Sequence, residues 1–341
     1  MKNIFVILGV ARSGTSAIAR SLKALGIELG DNMSPASDKW NSKGFWEDTD
    51  IVYKINGRAF SALDFAAYGI QQLDKTLQTS DKLSEIKQSA ITLLQERFAS
   101  TDHWGFKDPS TVKLLTFWQS IFTELHIQDN YIIALRNPLA SAQSYKNVTG
   151  SELEIGLLLW LMHLVPAIEE TTGKNRVVVS YDLLLQDPHL QLDRIKRDLN
   201  ITLPVSSDEV NAYTEHFLDK KLHRHEYSTD DLKSHAATAV VPLCLRVYDL
   251  LMKLAKDELS FQDEQFATQW QEIQAELQKI YPVYCYVDTL LKEMNHLKKS
   301  LRSIHKSAFW KLLYPLRMID DRLRTHRQKS RMNKRLIKAY S

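Results

Sequence analysis

Apolar residues recur along this chain in two alternating rhythms. Residues 3–8 (NIFVIL) form a short, mostly β-branched run that stops at Gly9, the pattern of a strand buried on both faces. From Thr15 to Leu25 the apolar positions return at helical spacing, and Gly26 ends the run. Strand, glycine loop and helix in that order predict the opening of an α/β sheet. Further buried strands are predicted at 103–106, 130–135 and 176–180. Helices are predicted over 48–60, 82–98, 111–125, 152–171, 189–199, 207–217, 239–256 and 261–280. Pro138 suits the first turn of another helix. The polar segment 31–46, with Pro35, Gly44 and two tryptophans, reads as a loop over the sheet edge.

Beyond residue 286 the rhythm changes. Apolar residues fall at 287, 290, 294, 297, 301 and 304, a 3-4 alternation shorter than the three to four heptads of a sustained coiled coil. About 15 lysines and arginines against about 3 acids lie from Lys292 onward, so a net charge of +3 hides a mildly acidic body and a strongly basic tail. The expected organisation is an α/β catalytic unit over 1–285 and a basic helical extension over 286–341.

Composition narrows the class. With 44% hydrophobic and 25% charged residues, the 341-residue chain matches an ordinary globular protein. Cys244 and Cys285 form no disulfide framework and no metal spacing, which fits a reducing compartment. No signal peptide is evident, and the longest apolar run, 155–168, is too short to span a bilayer. A cytoplasmic protein is expected. The tail lacks the interleaved aromatic and basic pattern of a nucleic-acid binder, so no nucleic-acid partner is expected.

The chemistry starts in the first loop. Gly9 to Ser16 read GVARSGTS, close to G-x-x-x-x-G-K-[ST], but Thr15 stands where a nucleotide kinase keeps its lysine. Arg12 lies inside the loop instead. Such a loop presents amides and the positive end of a helix to an anion, with Ser13, Thr15 and Ser16 adding hydroxyls. The strand 130–135 ends in Arg136, a cation where a metal-binding NTPase would use a carboxylate. An anionic nucleotide held without Mg²⁺ is expected. The histidines near 223–225 lack a third ligand at metal spacing, so no zinc site is expected either.

Five stretches, in order, resemble the sulfotransferases that use 3′-phosphoadenosine 5′-phosphosulfate (PAPS), the bacterial members most closely. They are GVARSGTS, NSKGFWEDTDIV, WGFKDPST, IIALRNPLASAQSYKN and VVVSYDLLLQDP. The resemblance runs from about residue 3 to 225. It implies a three-layer α/β fold like that of the P-loop kinases, with a central parallel sheet, and PAPS as co-substrate. Sulfuryl transfer, like phosphoryl transfer, rests on positioning and charge stabilisation. Arg12 is then assigned to the leaving phosphate, since its planar fork bonds two oxygens at once. Ser13, Gly14, Thr15 and Ser16 are assigned to the 5′-phosphate, Arg136 and Ser144 to the 3′-phosphate, and Tyr181 to the adenine pocket. Glu47 is the expected general base, with Asp48 a rival better suited to capping the next helix. Lys107 is assigned to the sulfonate or acceptor, and Asp108 to orienting Arg12 or a loop amide. An internal Lys107–Asp108 pair is the alternative. Arg224, in KKLHRHE, is assigned to a lid over the 3′-phosphate, with a solvated basic turn as the alternative. Ser110 replaces the arginine usual in the family's KDPR segment, so that arginine's contacts are not expected here.

SAFWKLLYPLR at 307–317 resembles a segment of bacterial enzymes that build surface polysaccharides. It implies a glycan acceptor, such as one on a lipid carrier at the inner membrane face, reached by peripheral contact of the basic tail. Packing on the body or on a second subunit, as a homo-oligomer, is the other reading. A P-loop small-molecule kinase and a non-catalytic nucleotide-binding protein remain as alternative functions.

Overall fold

The computed structural model describes residues 1–38, 40–218, 227–234 and 240–313. Four strands, β1 (Asn3–Leu8), β2 (His103–Lys107), β3 (Gln128–Leu135) and β4 (Asn175–Ser180), form one parallel sheet in the order β2-β1-β3-β4. Each strand is short and apolar because both faces are covered. Phe5, Ile7, Ile132, Ala134, Val177 and Val179 point to one face, where helix α1 (Thr15–Ala24) and the helix Pro188–Asp198 pack. The alternate residues, Ile4, Val6, Ile133 and Val178 among them, are buried on the other face. The helices Leu153–Glu170 and Val241–Ala255 pack there. This is the three-layer parallel α/β fold that the sequence implies.

Register aligns the functional strand ends. Ile7 pairs with Lys107 and Leu135 with Ser180, so β1, β2, β3 and β4 all finish at one edge. Order reverses at β1, between β2 and β3, and ligands of open α/β sheets collect outside the carboxyl ends at such a point.

The structure departs from the predicted elements where local periodicity misled. Residues predicted as one helix over 48–60 form π-helical turns at Asp50–Gly57 followed by a short helix, Arg58–Ala62. The helix predicted over 111–125 begins as a 3₁₀ segment, Pro109–Leu114, before Leu115–Glu124. The helix predicted to end near 280 continues through Pro282 to Lys306, so Glu264–Lys306 is a single element.

The chain divides into two compact units, Met1–Tyr284 and Cys285–Ser341. In the second, the helix carries an exposed row of large apolar residues.

Candidate functional site

The loop after β1 turns through Arg12 at φ 76° and Gly14 at φ 84° into α1. No side chain caps α1, and no acid lies in its first turn. Its opening amides therefore face the cleft with the full positive end of the helix. Gly14 is required twice over. Its φ is left-handed, and a Cβ there would stand 2.2 Å from Cδ2 of Tyr181. The tyrosine ring thus lies against the loop itself.

Three distant segments meet here. The Arg136 Nη1 donates to the Arg12 carbonyl at 3.1 Å, and the Arg12 Nε donates to the Ser144 hydroxyl at 3.1 Å. A second Arg12 nitrogen donates to the Trp40 carbonyl. Arg136 is placed by Trp160, whose indole N–H donates to its carbonyl at 3.0 Å. Its guanidinium stands 5.0 Å from the Tyr181 ring centre. Burial lowers the Arg136 pKa, and Tyr181 and Asp182 oppose that shift. Asn137 caps the helix Pro138–Thr149, accepting from the Leu139 amide at 2.9 Å. Gly156 lets the helix Leu153–Glu170 approach so closely that a Cβ would meet the Ala142 Cα at 2.7 Å. That contact sets the helix face bearing Ser144.

Around these groups lies a cleft of about 330 Å³, walled by Arg12, Thr15, Ser16, Arg136, Ser144 and Tyr181 among others. Its size suits a small-molecule ligand. Three cations (Arg12, Lys43 and Arg136) against one acid (Asp38), together with hydroxyls and an uncapped helix start, suit a ligand with more than one anionic group.

Ser13 does not join this wall. Its hydroxyl donates to the Val10 carbonyl at 2.7 Å and its amide to the same oxygen at 3.2 Å. The residue is fully buried and closes the turn, so its assigned donors serve the loop. Ser16 donates to the Phe45 carbonyl at 3.0 Å and accepts from Asn41 at 3.1 Å, fastening the 31–46 loop to α1. Sequence reasoning missed Trp40 and Asn41 as site residues. Asn41 opens the NSKGFWE stretch, so its signal was present; Trp40 carried none.

A second group sits one strand over. Glu47 Oε1 accepts from Lys107 Nζ in a close ion pair at the end of β2. Lys107 is 3% exposed and keeps no free side to solvent. Burial raises the Glu47 pKa above 4.5; Lys107 pulls it down and Asp108 pushes it up. Trp46 adopts φ 54°, unusual for a bulky residue, and is held there by three contacts. Its indole N–H donates to the Lys43 carbonyl at 3.2 Å, Phe217 meets it edge-on at 5.6 Å, and the Arg20 guanidinium lies 5.5 Å from its ring. This turn presents Glu47 to Lys107. The pair does not line the cleft around Arg12; it stands beside it at the same sheet edge.

The rival carboxylates are otherwise engaged. Asp48 accepts from Arg97 at 2.8 Å and from the Asp50 amide at 2.8 Å, with its side chain fully enclosed. Asp108 accepts from the Ser110 amide at 2.9 Å, the Ser110 hydroxyl at 2.7 Å and Asn56 at 2.8 Å. It caps the 3₁₀ segment rather than orienting Arg12, and Lys107 pairs with Glu47 rather than with Asp108. Ser110 is turned inward, so the side chain standing at the arginine position of the KDPR segment reaches no cleft. Tyr68, half-exposed, joins the Glu47 side. Partial burial, then the Asp108 and Glu47 carboxylates, raise its phenol pKa. Nothing in the AAYGI sequence signals it. Arg224 and the rest of KKLHRHE lie outside the described residues. Among the described residues no cluster of His, Cys, Asp or Glu is arranged to hold a metal ion, and no helix is long and apolar enough to cross a membrane.

No protein-family model matches the chain, and no curated protein does. A solved structure that it resembles is the sulfotransferase domain from the Synechococcus PCC 7002 olefin synthase. Identity is 16% over 81% of this chain and 96% of that one, at a TM-score of 0.37. Overlap that loose assigns no residue a role.

Proposed function

We propose that this protein transfers a sulfuryl group from PAPS to a hydroxyl of a saccharide, such as a bacterial surface polysaccharide or a lipid-linked glycan. One observation carries the reading: Arg12 from the loop after β1, and Arg136 and Ser144 from the segment after β3, converge on the uncapped start of α1. A nucleotide with phosphates at two positions fits that arrangement. The α1 amides and the Thr15 hydroxyl take the 5′-phosphate, while Arg136 and Ser144 take the 3′-phosphate. Tyr181, stacked by Arg136 and pressed on Gly14, offers the adenine a flat wall.

The chemistry then divides between the two groups of residues. The acceptor oxygen forms a bond to sulfur as the bond from sulfur to the bridging phosphate oxygen breaks. The leaving oxygen keeps the bonding pair, and Arg12 stabilises the charge that builds there. Glu47 takes the acceptor proton, and its burial-raised pKa brings it nearer the acceptor's needs. Lys107 holds the Glu47 carboxylate in place and opposes the rise that burial causes. The saccharide class rests on the resemblance of the tail segment 307–317, of which only the residues to 313 are described.

Thermal unfolding with adenosine 3′,5′-bisphosphate in the absence of Mg²⁺ tests the nucleotide. The expected result is a rise in Tm of several degrees at saturating ligand, on the order of 3 kcal/mol at a hundredfold excess over Kd. Stabilisation by Mg²⁺-ATP alone would point to a kinase instead. Labelled PAPS offered with the host's own glycans then tests transfer.

A further inference from the structure

The exposed row on the helix Glu264–Lys306 is a seam. Leu290, Met294, Leu297, Leu301 and Ile304 are 41–62% exposed, and Val287 precedes them at the same 3-4 spacing. Five large apolar side chains standing in water along one stripe of a helix are costly. Burying such a side chain is favourable in proportion to the apolar area it removes from water. The stripe is narrow: only two positions in seven are apolar throughout, the width of a coiled-coil seam and not of a helix lying on a lipid surface.

We infer that this seam pairs with the same seam of a second copy, in parallel, to form a two-stranded coiled coil. Val287, Met294 and Leu301 then occupy the a positions, and Leu290, Leu297 and Ile304 the d positions. Val287 at a followed by Leu290 at d is the combination that favours two strands. The flanking positions set the direction. In a parallel pair, each g residue meets the e residue five places on in the other copy. Glu293 at g therefore meets Lys298 of the second copy, and Tyr286 meets Leu291. The first pair is of opposite charge and the second is apolar. In an antiparallel pair g faces g and e faces e, so Glu293 never meets Lys298. The remaining charges, Asp288, Lys292, Lys299, Arg302 and Lys306, fall at b and f positions, on the outside of the pair. A membrane-surface helix wants cations along the rim of its apolar face; here the rim carries one anion, Glu293, against one cation, Lys298, and so offers an anionic surface no net attraction.

Sedimentation equilibrium of the full-length chain across the micromolar range tests this. The expected mass is that of a reversible dimer, since a seam of fewer than three heptads associates weakly. Leu297→Glu with Leu301→Glu should give monomer with an unchanged Tm of the α/β unit, because both side chains are exposed. Lys298→Glu should weaken the dimer about two- to tenfold, and adding Glu293→Lys should restore it. A monomer at every concentration overturns the proposal, as does a dimer indifferent to the double leucine substitution. A Lys298→Glu dimer of unchanged strength overturns the parallel register. Vesicles of mixed phosphatidylglycerol and phosphatidylcholine provide the competing arm: co-flotation of monomer, lost in the leucine variant, assigns the stripe to lipid instead.

Discussion

Tyr181 lies across Gly14 so closely that a single added carbon would stand 2.2 Å from its ring. The first residue of the helix after β4 thus forms one wall of the loop after β1, and the two must move together. Gly14→Ala meets both a left-handed backbone and that ring, and should cost about 2–4 kcal/mol of stability by urea unfolding. Gly14→Ala with Tyr181→Ala should recover the steric part and leave the backbone part. If the double variant is no more stable than Gly14→Ala, the contact is not what excludes the side chain.

Arg136 and Ser144 separate positioning from charge. Arg136→Ala should weaken adenosine 3′,5′-bisphosphate binding by roughly 100-fold or more by calorimetry, since a buried charge-assisted contact is lost. Ser144→Ala should cost only about three- to tenfold, the worth of one neutral hydrogen bond. Unchanged affinity in Arg136→Ala would remove it from the nucleotide site.

Glu47 and Asp48 are neighbours with opposite expected phenotypes. Glu47→Gln should reduce turnover by roughly 10²–10⁴-fold while bisphosphate affinity survives. Asp48→Asn loosens Arg97 and should lower stability instead, leaving turnover per folded molecule near normal. Because burial raises the Glu47 pKa, the acid limb of the rate profile should lie above 4.5. The sign for stability runs the other way. A carboxyl whose folded pKa is raised contributes most below 4.5, and that contribution fades as pH rises through the folded value. In Glu47→Gln both the acid limb of the rate and this slope should vanish. A wild-type rate profile flat well below 4.5 would exclude Glu47 as the base.

His163 is buried in the helix Leu153–Glu170, with Nδ1 2.7 Å from the Leu159 carbonyl and Nε2 without a hydrogen-bond partner. Burial first, and Lys113 second, push its pKa down to about 3. The unfolded chain takes up this proton near 6.5 and the folded chain does not, so stability present above 6.5 is lost as pH falls toward 3. His163→Leu should flatten the dependence of urea stability on pH below 6.5. An unaltered slope would mean that the imidazole titrates normally.

The sheet was legible because it depends on local pattern alone. A run such as IFVIL at 4–8, apolar at every position and short, has little alternative to a strand covered on both sides. Helix ends at Gly26 and Pro138 followed from the backbone limits of those residues. The π-helical turns at Asp50–Gly57 were not legible, because a widened turn and an α-helix show the same apolar spacing over eight residues. Nor was the continuation of the last helix through Pro282, a residue that ordinarily ends one.

The order of chemistry-bearing segments along the chain settled which residue types were available: a lysine-free phosphate loop, an arginine closing a central strand, a glutamate after two aromatics. Their partners came only from the folded chain. Ser13 and Ser16 stand three residues apart, yet one hydroxyl closes a turn and the other ties α1 to Phe45. Glu47 finds Lys107 sixty residues away, and Asp48 finds Arg97. Sequence spacing fixes the backbone period, and hence the strands and helices. Which of two adjacent carboxylates is locked and which is poised depends on how elements distant in sequence pack, and no local period encodes that.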